Sequence, residues 1–176
     1  MPQLEGEVSN PAAGQVAFKF NNNGPMASNI TEIYWDDDAG VLGGFGTPKY
    51  TSSGAGVVFV NDSTKPLNLP SGQTVSPSFM ATASVDSANG ANKWINPGEW
   101  LKVLFLLQNT KTYSDELSAL EDGTLRIGMH IRSIGEWGGS ESVVNIAYME
   151  APPQQGEVPA PVTLALVGAG SLPAIL

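Results

Sequence analysis

Three consecutive carboxylates, Asp36, Asp37 and Asp38, directly follow an apolar segment of the chain. Clustered carboxylate oxygens are ligands that Ca²⁺ prefers, so these residues form a candidate calcium site, and calcium is the one cofactor that the sequence suggests. Their contiguous spacing differs from the alternate-position pattern of an EF-hand loop, and Asp is common in turns. A solvated acidic turn is therefore the favoured interpretation.

The single histidine, His130, is the candidate for acid–base chemistry. A catalytic triad needs a nucleophile and an acid beside the imidazole, and the sequence contains no nucleophile elbow. His130 lies between Arg126 and Arg132 on the predicted outer face of a strand, which makes it a surface residue. Glu136 and Glu141 flank a Gly-rich hairpin, but their separation, which decides whether they could hydrolyse glycosides, is not fixed by the sequence. We assign no catalytic residue and predict that the protein is not an enzyme.

Four tryptophans offer large apolar rings. Trp94 and Trp137 lie in segments rich in Gly and Asn, and they are candidates for a sugar-binding platform or for subunit contacts, because large rings favour interfaces. Trp35 and Trp100 lie in apolar strands and are predicted to be core residues. The first pair therefore makes polysaccharide a candidate partner.

The C-terminal segment, residues 162–176, is apolar and follows the Pro-X-Pro sequence Pro159-Ala160-Pro161, and no acid or base occurs after Glu157. Such apolar area favours burial at about 25 cal/mol per Å². Its alternation predicts a strand that docks on a sheet edge, either on its own domain or, as the Pro-rich linker 151–161 favours, on a neighbouring subunit. The predicted contact residues are Val162, Leu164, Leu166 and Val167.

The elements that must position these residues are mostly strands. High Gly and Pro content with few charged residues, together with turn-separated apolar runs, predicts an all-β fold, an antiparallel β-sandwich of jelly-roll or immunoglobulin-like type. One short helix is predicted to begin after Thr112, which starts a capping-box pattern, and to stop at Gly123. Residues 41–56 are predicted to be a loop with one short strand. The sandwich is assigned to residues 1–150.

Composition limits the choice of partners. The net charge is −9, and the eight Lys and Arg residues never cluster, which excludes nucleic acid. The chain has no cysteine, which excludes disulfides and thiolate metal sites. The C-terminal segment has fifteen residues and includes Pro173, whereas a spanning helix needs about 20 apolar residues. Membrane contact therefore requires a fuller tail than this one.

The residues Val158, Pro159, Pro161, Leu164, Ala165 and Leu166 resemble the C-terminal sorting segment of bacterial PEP-CTERM proteins. Ala160 stands where that family has Glu, and the family's terminal Arg cluster is missing. Segments of the body, among them residues 29–37, 95–99, 125–131 and 138–142, resemble sequences that recur in one subgroup of such proteins. The resemblance implies export and association with the bacterial cell surface or matrix, and it implies no catalytic activity. Residues 1–5 have no signal-peptide character, so export would imply a signal already removed.

Three functions follow as hypotheses. The first is a non-enzymatic extracellular or cell-surface structural protein, a homo-oligomer or polymer that uses its C-terminal segment for strand packing between subunits, as in a filament or biofilm matrix. The second is a monomeric surface protein anchored by its tail. The third is a carbohydrate-binding β-sandwich module.

Overall fold

The computed structural model describes residues 2–60, 68–88, 90 and 93–145, and the backbone of residues 162–164 and 166–168. Strands dominate these residues, and they are accompanied by one α-helix. Within the described ranges the elements are, in chain order, β1 Leu4–Ser9, β2 Gln15–Asn22, β3 Asn29–Asp37, β4 Leu42–Ser52, β5 Phe59–Val60, β6 Ala83–Ser87, β7 Glu99–Leu107, α1 Tyr113–Asp122, β8 Leu125–Ile134, β9 Gly139–Asn145, β10 Val162–Leu164 and β11 Leu166–Gly168.

The strands form two antiparallel sheets, which confirms the predicted all-β sandwich. Sheet I has the order β10-β1-β2-β7-β4, and sheet II has the order β11-β9-β8-β3-β6-β5. β1 and β2, β5 and β6, and β8 and β9 are antiparallel neighbours within one sheet, whereas the other connections cross between the sheets, so β2 pairs with β7, and β3 with β8. Residues distant in sequence are thereby placed side by side on each sheet face.

The core lies between the sheets and is built around aromatic rings. Trp35 is fully buried, and its ring centroid lies 4.9 Å from that of Phe105 and 5.7 Å from that of Phe18. These residues alternate along their strands with outward-facing residues, as the period of two predicts. Edge-to-face contacts of this kind add about 0.5–1.5 kcal/mol per pair beyond burial of area.

The helix α1 confirms the predicted start and stop. The Thr112 side chain accepts a hydrogen bond from the backbone N–H of Asp115, and the Asp115 carboxylate accepts one from the backbone N–H of Thr112 at 2.7 Å. Gly123 follows the last helical residue. Among the described residues, no helix is both long enough and apolar enough to cross a membrane.

The prediction of a loop over residues 41–56 is wrong for most of that range. β4 occupies eleven residues of it and pairs with β7 through two register shifts. Phe45 packs against Phe105 with ring centroids 4.5 Å apart. This contact anchors β4 on β7, and the Gly-rich composition of the segment did not indicate it. At Gly46 a Cβ atom would lie 2.6 Å from the Leu104 side chain, so glycine is what permits the close approach.

Residues 68–82 cover the outer face of sheet II. Leu69 and Phe79 form a second small core with Tyr34 and Val144. A Cβ on Gly128 would lie 2.8 Å from the Leu69 side chain and 3.2 Å from that of Phe79, so the absence of a side chain at Gly128 makes room for this cover. The outer face of sheet II is therefore covered around Tyr34, Gly128 and Val144.

Candidate functional site

The C-terminal strands β10 and β11 lie at the edges of the two sheets. β10 pairs with β1, with Gly6 opposite Leu164 and Val8 opposite Val162. β11 pairs with β9, with Asn145 opposite Leu166 and Val143 opposite Gly168. The predicted strand form is therefore present. It is divided at residue 165 into two short strands that serve different sheets, where the sequence predicted one continuous strand.

Both pairings are made with the chain's own body. The sequence favoured a neighbouring subunit as the acceptor, whereas in this single chain β10 and β11 complete the sandwich to which they belong. The four predicted contact residues, Val162, Leu164, Leu166 and Val167, all fall within these two strands. Their backbone positions are defined by pairing with β1 and β9.

The four outer edges of the sheets are protected in different ways. β4 is irregular and contains Pro48 and Lys49, and β5 has only two residues, so neither offers a long template for another strand. β1 and β9 have six and seven residues, and each is protected by a C-terminal strand. Without that strand they would present unpaired backbone N–H and C=O groups, which favour pairing with another chain.

The two loop tryptophans lie at one end of the sandwich. Ile95, next to Trp94, pairs with Ile30 at the start of β3, and the backbone N–H of Gly135 donates to Ala27 O near that start. Trp94 is half-buried, whereas Trp137, in the turn between β8 and β9, is 96% exposed. A ring so exposed is accessible to a ligand or partner, and their role in glycan or subunit contact stays a prediction.

The three aspartates do not converge on one point. Asp36 is 1% exposed, and its carboxylate pairs with the Arg126 guanidinium and accepts a 2.9 Å bond from Met80 N, so the predicted solvated turn is wrong for this residue. Asp37 accepts bonds from Val41 N and Leu42 N, and Asp38 is exposed. Within the described residues, no group of three His, Asp or Glu side chains could hold a metal ion. Calcium binding stays a prediction that this arrangement does not favour.

His130 is 8% exposed, so its predicted surface position is wrong. The sequence correctly places it on the outer face of β8, but that face is covered in part by residues 68–82. Its Nδ1 lies 3.3 Å from the Ser142 hydroxyl oxygen, and its strand partner on the other side is Glu32. Burial holds the pKa of His130 below its usual value, while the Glu32 carboxylate opposes this shift.

The structure thus aligns Glu32, His130 and Ser142 across three neighbouring strands. The Glu32 carboxylate is occupied by the Tyr34 hydroxyl and by Arg132, whose Nη2 lies 3.0 Å away. Burial, and then the hydrogen bond to the Glu32 carboxylate, raise the pKa of Tyr34. Since Ser142 is also only 6% exposed, the row forms a buried polar network, and nothing in its geometry presents a nucleophile to a substrate.

Sequence reasoning missed a group on the outer face of sheet I. Trp100 was predicted to be a core residue, but it is half-buried on that outer face. The side of β7 that faces the core carries Leu101 and Val103 instead. Lys19 and Lys102 lie directly opposite each other on β2 and β7. In the sequence, each lysine lies between apolar residues, and this alternation predicts that each side chain points outward. Only the cross-strand register shows that Lys19 and Lys102 lie opposite each other.

Glu116, on α1, is a buried acid with no assigned role. It is fully buried, and neither carboxylate oxygen has a hydrogen-bond partner among the described residues. Desolvation, with a contribution from the nearby Asp37 carboxylate, raises its pKa to about 8. Glu116 is therefore held in its neutral form at moderately acidic pH.

These geometries define two surfaces that could engage a partner: the edges that β10 and β11 occupy, and the outer face of sheet I. The first consists of paired edge strands and the second of half-buried side chains, whereas the polar row of sheet II is enclosed. No protein-family model, curated protein or solved structure matched this chain.

Proposed function

We propose that this chain is a non-enzymatic structural protein of the bacterial cell surface or extracellular matrix, and that its copies associate by exchanging their C-terminal strands. The observation that supports the proposal is the pairing of β10 and β11 with the edges of both sheets. A segment that completes two sheets in its own chain is equally suited to complete them in another copy. The resemblance of this segment to a sorting segment of exported proteins supports the location.

Exchange would preserve every backbone pairing of the closed chain. β10 and β11 would make the same contacts with β1 and β9 of a neighbour, so the two forms differ mainly in chain entropy and protein concentration. A tethered strand has an effective concentration in the millimolar range, which favours the closed form in dilute solution. Assembly is therefore expected at the high local concentrations of a surface layer or matrix.

The length of the connecting sequence permits exchange. Residues 146–161, sixteen in number, separate β9 from β10. A chain of this length can span at most about 50 Å, compared with a radius of gyration of about 15 Å for a domain of this size. The segment can therefore reach an adjacent copy. If each copy donates to the next, the contact does not close and a filament results.

The short C-terminal strands also suit release from their own edges. Each has three residues, whereas β8, in the interior of sheet II, has ten. Short edge strands with few backbone bonds open at a lower free energy than central strands do. The segment is thus expected to detach without unfolding the body.

The alternative of a monomer anchored through its tail is less well supported. Residues 162–164 and 166–168 are paired within the two sheets, and a paired strand is not available to enter a bilayer. The carbohydrate-binding alternative rests on the exposed ring of Trp137 and the half-buried ring of Trp94.

Sedimentation velocity and electron microscopy of the full chain over a wide concentration range test the proposal. We expect oligomers that grow with concentration. A matched variant with Thr163→Pro and Val167→Pro should remain monomeric, because proline cannot donate a backbone bond and fits poorly within a strand. Equal sedimentation of both proteins as monomers at every concentration would exclude strand exchange.

A further inference from the structure

The outer face of sheet I carries two lysines and a tryptophan in one compact group. Lys19 on β2 lies directly opposite Lys102 on β7, and Trp100 is the next outward residue on β7. Lys19 Nζ lies 5.5 Å from the centroid of the Trp100 ring. We call Lys19, Trp100 and Lys102 the lysine–tryptophan patch.

The charges of the patch are not balanced. Lys19 Nζ forms a 3.1 Å ion pair with Glu7, whereas no described carboxylate lies within 4.0 Å of Lys102. Like charges directly opposite each other on neighbouring strands are destabilising. Other lysines likewise form no ion pair within 4.0 Å among the described residues, namely Lys49, Lys93 and Lys111. What distinguishes Lys102 is its place beside Lys19 and Trp100, where it is available to an external anion.

The patch also offers an aromatic surface. Trp100 is half-buried, whereas Asn21, opposite it on β2, is 7% exposed and donates its side-chain N–H to Glu7. Leu106, farther along the same face of β7, is 44% exposed. The accessible part of an aromatic ring can pack against the C–H face of a sugar.

We propose that the lysine–tryptophan patch binds an acidic polysaccharide. The sugar ring would stack on Trp100, and a uronic carboxylate would accept charge-assisted hydrogen bonds from Lys102, with Lys19 beside it. Three neighbouring strands, spaced by about 4.8 Å, place Glu7, Lys19 and Lys102 in one row. This row is about 10 Å long, so an extended polysaccharide chain could lie along it. Glu7 accepts hydrogen bonds from Lys19 and Asn21 and so holds the Lys19 ammonium in place.

A sugar acid fits this face better than a dense polyanion does. The net charge of −9 repels a ligand with closely spaced phosphates that needs many cations, as nucleic acid does. A uronic-acid chain carries one carboxylate on each sugar, and uncharged ring faces and hydroxyls lie between these carboxylates, which matches two lysines and a tryptophan. This proposal does not depend on strand exchange, since β10 pairs with the opposite side of β1 from β2.

Calorimetric titration of the full chain with tetragalacturonate, and with neutral cellotetraose as the control sugar, tests the site. We expect tetragalacturonate to bind at low salt, to bind more weakly as salt rises, and to bind more tightly than cellotetraose. Trp100→Ala should weaken binding by about tenfold or more, and Lys102→Gln by about three- to tenfold. Lys111→Gln, which removes an equal charge just before α1, should leave the affinity unchanged.

Three results of this titration would contradict binding at the lysine–tryptophan patch. Absence of wild-type binding, equal affinity for the two sugars, or equal weakening by Lys102→Gln and Lys111→Gln would each overturn the proposal. If Trp100→Ala unfolds, Trp100→Phe and Trp100→Leu take its place. Trp100→Phe keeps an aromatic ring for packing against the sugar, so it is expected to bind tetragalacturonate more tightly than Trp100→Leu does. Lys102 is at the surface, so its substitution leaves the fold intact and tests the charge directly.

Discussion

The outer faces of the two sheets are used in opposite ways. On sheet II, residues 68–82 cover the strands, and the buried pair of Asp36 and Arg126 fixes that cover in place. Arg126 donates to Pro77 O at 2.6 Å and to Ser78 O at 2.7 Å, so its guanidinium holds the covering segment directly. On sheet I, Lys19 and Lys102 remain partly exposed on the strands themselves.

The difference shows where the charged residues contribute to stability and where they are available to a partner. A buried ion pair needs further hydrogen bonds to offset its desolvation, and the Asp36–Arg126 pair has several. All of them are made at Asp36 Oδ2 and the guanidinium, while Asp36 Oδ1 has no partner among the described residues. An exposed lysine is hydrated and contributes little to folding. On the outer face of sheet II, substitutions should therefore lower stability, whereas substitutions of the lysines on the outer face of sheet I should change binding with little effect on stability.

The largest effect is expected at the buried ion pair. Arg126→Met leaves the Asp36 carboxylate buried without its partner, which should lower the free energy of unfolding by about 3–5 kcal/mol in urea titrations. Arg132→Met, which breaks the more exposed pair with Glu32, is the matched control and should cost less than about 1 kcal/mol. Similar small losses for both would show that the Arg126 pair does not hold the cover.

A second effect should appear in the pH dependence of stability at Glu116, on the helix that contacts β8 of sheet II. Its pKa is about 8 in the folded state and 4.5 as the ordinary value, so the folded state binds more protons between these values. The free energy of unfolding should therefore fall as pH rises from 4.5 through 8, by about 3 kcal/mol between pH 5 and 7.5. Glu116→Gln should remove this loss. If the free energy of unfolding of both proteins changed in parallel with pH, Glu116 would not be the group responsible.

A smaller effect is expected from glycine substitutions that compare the two faces. Gly128→Val forces a side chain against Leu69 and Phe79 and should destabilise by about 1–3 kcal/mol in thermal or urea unfolding. Gly44→Val on β4 of sheet I meets open space, so its stability should match or exceed that of the parent. If Gly44→Val were the more destabilising substitution, the proposed contrast between the faces would be wrong.

The smallest effect concerns His130, in the polar row of sheet II. Burial lowers its folded pKa below 6.5, so the unfolded state binds the proton more readily and stability should be lost as pH falls from 6.5 through the folded pKa. Unfolding measured in the Glu116→Gln background isolates this loss, and adding His130→Gln should reduce it. No difference between these two variants would mean that His130 titrates as a solvated residue.

The sequence predicted the elements whose evidence is local. Alternation identified β2 and β8, and the capping pattern at Thr112 located α1, because these signals arise from neighbouring residues. It did not predict that the outer face of β8 is covered, since the segment that covers it lies some fifty residues earlier in the chain. The partners of Asp36, the burial of His130 and the meeting of Lys19 with Lys102 depend on strand register, which a single sequence does not reveal.

Disulfide trapping tests the central claim, strand exchange, most directly. Glu7 on β1 lies opposite Thr163 on β10, and the chain has no cysteine of its own. Glu7→Cys and Thr163→Cys are prepared as separate proteins, mixed at high concentration and oxidised, with Glu121→Cys replacing Glu7→Cys as the control. Exchange predicts a disulfide-linked heterodimer only in the first mixture. A mixture that stays monomeric, while the double variant forms its disulfide within one chain, would contradict exchange and leave β10 as a strand of its own chain alone.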